Sequence, residues 1–191
     1  MTATAEGFDP AHPFGSSIAR FDTTVDAVFE RLRDYRAVDR VFYVASALAD
    51  WSLIWHAIGF TQAVADRRRV PVMVRLSAGL GVESLLVNQG VKRLFHRQRP
   101  VYVAGDGPME LRTPLTSSFP SGHASSAFFA AVLLARRQPR LAGLWFGLAG
   151  VVACSRIHVR MHHGSDVVVG AAIGATLGVV TDKLVPLPRV A

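Results

Sequence analysis

The stretch Ser155–Gly178, SRIHVRMHHGSDVVVGAAIGATLG, carries two patterns in succession. Its first half is polar: Arg156, His158, Arg160, His162, His163 and Asp166 fall within eleven residues. Its second half is apolar and repeats glycine every fourth residue, at Gly170, Gly174 and Gly178. In a soluble helix each glycine costs about 1 kcal/mol relative to alanine. In a bilayer, where lipid is as apolar as leucine, small residues at that spacing let two helix backbones approach closely. The stretch therefore predicts a polar functional head at one membrane face, followed by a span packed tightly on a neighbour.

Working outward, four further apolar segments precede the span expected at 166–185: 41–60, 71–90, about 122–136, and 141–155. A spanning helix takes about 20 mostly apolar residues. The first two have the length but carry Asp50, Arg75 and Glu83; the third and fourth are free of charge but short. Gly143 and Gly147 repeat the small-residue spacing in the fourth. Five such segments with short connections predict an all-α integral membrane helical bundle of about five or six helices. Composition agrees: half the residues are apolar and 18% are charged, against about 25% in a soluble domain. The acids Asp50 and Glu83 stand where ionisable groups are costly. No motif claims them, and each is expected to hydrogen-bond a neighbouring helix.

The first 15 residues, MTATAEGFDPAHPFG, lack a basic start followed by an apolar run, so no cleavable signal peptide is expected. Within 21–40, Val25, Val28, Phe29 and Leu32 follow the three-four spacing of an amphipathic helix. That helix either lies in the membrane interface or packs on the protein. The expected division is a lead and amphipathic helix at 1–40 and a membrane domain at 41–191.

The net charge is +7, with nineteen Arg and two Lys. A basic balance by itself suits nucleic acid, anionic lipid or an anionic substrate; no nucleic-acid partner is expected for this membrane chain. The single cysteine, Cys154, excludes an internal disulfide and a multi-cysteine metal site. The basic loops ADRRRV (65–70) and ARRQPR (135–140) are expected on the cytoplasmic side. Residues 91–123 and 155–166 then meet on the opposite face, and the first forty residues, with seven acids against five Arg, lie outside.

Three clusters share that face: VKRLFHRQRP (91–100), SSFPSGH (117–123) and SRIHVRMHHGSD (155–166). If 162–166 is helical, His162 and Asp166 lie on one face. The carboxylate then orients one ring nitrogen and leaves the other free as a nucleophile. Arg156 offers a planar fork to phosphate oxygens. Gly122 allows close backbone approach, and the start of the helix after Ser121 attracts an anion. His123 is placed to protonate a leaving alkoxide. Lys92 and Arg99, seven residues apart, share a face if the helix continues. Each residue alone has a plainer reading: a snorkelling Lys or Arg, a satisfied His, a Ser-Gly turn. Their convergence on one face favours a site. A zinc stripe of His158, His162 and Asp166 is the rival, opposed by the surrounding cations. The loop 101–119 is expected to shape the substrate entrance; Arg112 there either touches a second anionic group or, as the favoured reading, is a solvated charge.

The three clusters resemble the signature motifs of the phosphatidic acid phosphatase type 2 superfamily, which includes membrane lipid phosphatases and vanadium-dependent haloperoxidases. The resemblance spans roughly 41–185 and implies that 41–191 is a membrane phosphatase domain. It implies that His162 attacks phosphorus to form a phosphohistidine, that Asp166 orients it, and that His123 protonates the leaving group. Lys92, Arg99, Ser121, Gly122 and Arg156 would bind phosphate oxygens, with no metal or other cofactor. Implied substrates are lipid phosphates or pyrophosphates: phosphatidic acid, phosphatidylglycerol phosphate, polyprenyl pyrophosphate or polyprenyl-phosphoryl sugars. The implied location is the bacterial inner membrane, multi-pass, with the site extracytoplasmic. The small, arginine-rich chain is similar to actinobacterial members, one of which acts on decaprenylphosphoryl phosphoribose in cell wall biosynthesis. The alternatives are a haloperoxidase-like enzyme, disfavoured by the apolar segments, and a non-catalytic lipid-phosphate-binding membrane protein, which would need no nucleophile.

Overall fold

A computed structural model describes residues 13–33, 35–101, 107–112 and 116–187. They form seven α-helices: α1 (Ser16–Leu32), α2 (Arg36–Leu48), α3 (Leu53–Ala65), α4 (Val70–Ser84), α5 (Gly122–Arg137), α6 (Ala142–His158) and α7 (Gly164–Leu184). Three helical stretches are long and apolar enough to cross a membrane: Arg67–Leu94, Pro139–His158 and Gly164–Leu184. A bent pair, α2 with α3, makes a fourth if counted as one span. Helix α5 is the central post, buried along most of its length from Ala124 to Leu134. Phe129, Leu133 and Leu134 join Leu76, Leu80, Trp55 and Trp145 in the main core.

The glycine repeat works as its spacing implies. A Cβ at Gly170 would overlap the Ser121 carbonyl, and one at Gly174 the Ser125 carbonyl. At Gly178 it would meet Val132 Cβ at 2.9 Å. The α7 backbone thus lies directly on α5, which fixes where Ser121 and His123 sit relative to Asp166. Gly174→Val is expected to force these helices apart. The destabilisation should be on the order of 1–3 kcal/mol or more, as for overpacked cores. Ala172→Val, on the exposed face of α7, should leave the melting temperature in detergent unchanged.

Two sequence expectations need correction. The segment 41–60 is not one straight span. It breaks between α2 and α3, which meet at 68°. Trp51 and Ser52 take φ of 55° and 59° there, a conformation costing non-glycine residues about 1–2 kcal/mol each. Neither residue announces a break. The amphipathic segment 21–40 is also divided: α1 ends at Leu32 and α2 begins at Arg36. Helix α1 packs on the bundle through Val25 and Phe29, beside Ala124, Ala153, Ile157 and Val167.

The ends of the bundle differ in charge. One end carries Arg67–Arg69, Arg136, Arg140 and Lys183, and there Gln138 Nε2 donates to Gln62 at 2.9 Å. Arg75 pairs with Asp182 at 3.1 Å and donates to the Val185 carbonyl at 2.9 Å. The other end gathers the C-termini of α4 and α6 and the N-termini of α5 and α7.

Candidate active site

Each site residue reaches that second end by a different local device. The helix containing α4 loosens into a π-helical turn (Leu85–Gly90) and a 3-10 turn (Val91–Leu94). This re-aims Lys92 into the bundle, where it is buried and forms no ion pair among the described residues. Phe95 is extended, so Lys92 and Arg99 do not share a helical face as their spacing suggested; a loop carries Arg99 in. Ser121 caps α5, its Oγ accepting from Ala124 N–H at 3.4 Å. Its own N–H donates to the Asp166 carbonyl at 3.0 Å. Gly122 lies against Asn88, whose Oδ1 would stand 2.7 Å from an added Cβ.

His162 precedes α7 rather than lying on it. Its Nδ1 is 3.7 Å from Asp166 Oδ2, so the four-residue spacing brings the pair together without the helix that was expected to do so. Asp166 is the third residue of α7 and accepts the His163 N–H at 2.9 Å, while the His163 ring accepts in return, forming a capping box. Arg99 Nη1 lies 3.3 Å from His162 Nε2. A guanidinium only donates, so Nε2 is the lone-pair nitrogen and Nδ1 carries the proton that faces Asp166. Burial, with help from Arg99, Lys92 and Arg156, holds the His162 imidazole well below its ordinary pKa. That direction favours the uncharged ring, the form in which Nε2 keeps its lone pair.

Arg156 lies in the last turn of α6 and is 2% exposed. One amino group donates to Ser46 of α2. Its Nε and Nη2 are buried without a hydrogen-bond partner among the described residues. Lys92, Gly122, His123, Arg156 and His162 line one cavity of about 420 Å³. Arg99, Ser121 and Asp166 stand next to that lining: Arg99 reaches it at His162 Nε2, Asp166 lies 3.7 Å from His162 Nδ1, and Ser121 directly precedes Gly122.

Residues that the sequence left without a role now have positions. Asp50, delivered by the left-handed break, accepts from His123 Nε2 at 2.9 Å. Glu83 accepts from Ser125 Oγ. His158 turns away from His162: its Nε2 lies 2.7 Å from Asp39 of α2, and its ring stacks near Phe42. The His158–His162–Asp166 stripe therefore does not assemble. Arg112 is exposed, as a solvated loop charge would be, and it also lines the cavity and lies 4.9 Å from the Trp51 ring. Ser46, Asn88, Arg97 and Asp22 were also missed. An acid inside an apolar run was a usable signal for Asp50; nothing marked the others.

The profile of the PAP2 superfamily matches residues 72–187, which include every cluster except the Asp50 break and α1. The chain belongs to the PAP2 superfamily. Among its relatives within the superfamily is decaprenylphosphoryl-5-phosphoribose phosphatase of Mycobacterium tuberculosis, 36% identical over 132 residues, covering 68% of this chain and 71% of the relative. The Mycolicibacterium smegmatis enzyme of that name is 34% identical over 131 residues, covering 65% and 67%. Two solved structures share the fold. A transmembrane PAP2-type phosphatidylglycerolphosphate phosphatase from Bacillus subtilis aligns with TM-score 0.69 and 19% identity, over 92% of this chain and 89% of that one. Aquifex aeolicus LpxE aligns with TM-score 0.68 and 23% identity, over 89% and 97%. This PAP2 chain is an all-helical, multi-pass membrane phosphatase.

Proposed function

We propose that the protein hydrolyses the phosphate monoester of a polyprenyl-phosphoryl sugar phosphate at the extracytoplasmic face of the bacterial inner membrane, through a phosphohistidine on His162. The observation that carries this reading is the cationic cage: Lys92 and Arg156 are buried beside His162, and Arg156 keeps two N–H groups unpaired. A buried guanidinium without a counter-charge and with two nitrogens unpaired is costly, and a tetrahedral dianion in the cavity satisfies it. The mycobacterial relatives support the substrate class. The Arg-rich opposite end supports the orientation. The phosphatase unit is proposed as 41–191, with α1 of the preceding segment packed against it.

In the proposed first step Arg99 moves its donor from His162 Nε2 to a phosphate oxygen. The freed lone pair attacks phosphorus, the phosphorus–oxygen bond to the sugar breaks, and His123 gives the leaving oxygen its proton. Asp50 supports the protonated His123 ring, and Asp166 supports the positive charge that grows on His162. Lys92, Arg99, Arg156, the Ser121 hydroxyl and the Gly122 N–H hold the remaining oxygens. A water then attacks the phosphohistidine, His123 takes its proton, and inorganic phosphate leaves with Nε2 restored. Trp51, His56, Gln89 and Arg112, which line the same cavity, suit a polar sugar head group.

Phosphate release from purified protein, measured across polyprenyl-phosphoryl sugar phosphate, polyprenyl pyrophosphate and phosphatidyl phosphate with a chelator present, tests this. The expected result is chelator-resistant release, fastest with the first. Preference for pyrophosphate overturns the substrate assignment, and activity lost to the chelator overturns the chemistry.

A further inference from the structure

Behind the cage lies a second buried charge cluster that the hydrolysis as written does not use. Arg97 and Asp22 both have fully buried side chains. Arg97 Nη2 donates to Asp22 Oδ2 at 2.6 Å, and Arg97 Nη1 donates to Asp166 Oδ1 at 2.6 Å and to Ser165 Oγ at 2.8 Å. Asp22 also accepts the Ser165 N–H at 2.7 Å and the Ser165 hydroxyl at 2.9 Å. The Phe14 ring covers Arg97, 5.3 Å from its guanidinium carbon, and packs against Phe95 and Phe119. A residue of the N-terminal helix is thus wired, through one guanidinium, to the carboxylate behind His162.

We infer that Asp22 is a positioning residue for the hydrolysis: through Arg97 and Ser165 it holds Asp166 in place behind His162 and keeps part of that carboxylate's charge available to the ring. This rests on the phosphohistidine reading above. The physical case has two parts. An arginine bound to Asp166 alone would neutralise it. Asp22 claims the other arm of the same planar fork, so among the described residues two carboxylates share this one cation, a formal excess of one negative charge over the three groups. That excess faces His162 Nδ1, 3.7 Å from Asp166 Oδ2, where positive charge grows as Nε2 bonds phosphorus. The second part is geometric. By accepting from both Ser165 donors, Asp22 pins the first turn of α7, which carries Asp166. Both parts act in a dry interior, where such interactions are strongest. An ordinary tie between α1 and the bundle would explain the burial. It would not require the tie to end on the catalytic carboxylate.

The test compares wild type, H162A, D22N and D22E in steady-state hydrolysis of the lipid phosphate, with thermal melting in detergent. D22N keeps the shape but removes the charge and turns one of the two accepting oxygens into a donor. Its kcat should fall roughly 10–100-fold, the scale for losing an outer partner that orients a reactive group. KM should change less than about three-fold, because the oxyanion contacts are intact. D22E should recover part of kcat. A folded D22N with wild-type kcat, or D22E no better than D22N, overturns the inference. Should D22N fail to fold, R97K carries the test, since one ammonium does not bridge both carboxylates as a fork does. Its kcat should fall at near-constant KM, and full kcat in folded R97K overturns the role. A wild type that releases no phosphate, or an active H162A, removes the hydrolysis reading itself. An active wild type with inert H162A and unimpaired D22N removes only the part given to Asp22.

Discussion

His162→Ala is expected to lose phosphate release by on the order of 10⁴-fold or more, the scale seen when a covalent nucleophile is removed. The protein should stay folded. Its Nδ1 makes no hydrogen bond among the described residues and lies 3.7 Å from Asp166, and the exchange removes a polar ring from a buried, cationic pocket. The diagnostic measurement is acid-sensitive, base-stable phosphate bound to rapidly quenched enzyme, present in wild type and absent in the variant. Turnover within ten-fold of wild type would show that another group attacks phosphorus.

The second large effect has opposite signs in stability and activity. Arg156→Met removes a buried cation of which two nitrogens lack partners, and replaces it with an apolar chain of similar length. Removing an incompletely paired buried charge is often neutral or stabilising by about 1–4 kcal/mol. The ligand-free melting temperature should therefore hold or rise, against a smaller loss from stranding the buried Ser46 hydroxyl. Hydrolysis should fall on the order of 10²–10³-fold, as when one preorganised donor to a developing oxyanion is lost. Vanadate or phosphate, which stabilises wild type by binding only the folded state, should stabilise the variant much less. A variant that is both less stable and equally responsive to vanadate would mean that Arg156 serves the fold and not the anion.

Much of this was legible locally. Gly170, Gly174 and Gly178 announced a close helix contact because only their spacing mattered, and the contact with Ser121, Ser125 and Val132 follows from it. His162, Asp166, His123, Arg156 and Lys92 were marked by residue type and interval. The local geometry joining them was read less well. His162 and Asp166 meet through a loop and a capping box, not one helical face. Arg99 arrives on an irregular loop that begins at an extended Phe95, not two helical turns after Lys92. Intervals constrain which residues can meet, while several backbone paths satisfy the same interval.

The sequence by itself determined the membrane class, the helical content and which imidazole, cationic and acidic side chains gather at one end of the bundle. Those depend on composition and on short-range periodicity, which a chain carries before it folds. Only the tertiary structure decided that Asp50 supports His123 across 73 positions, that Asp22 reaches Asp166 through Arg97 across 75 and 69, and that His158 leaves the site for Asp39 across 119. A buried charge takes its partner from whichever helix packing brings alongside, and that neighbour is chosen by the whole bundle.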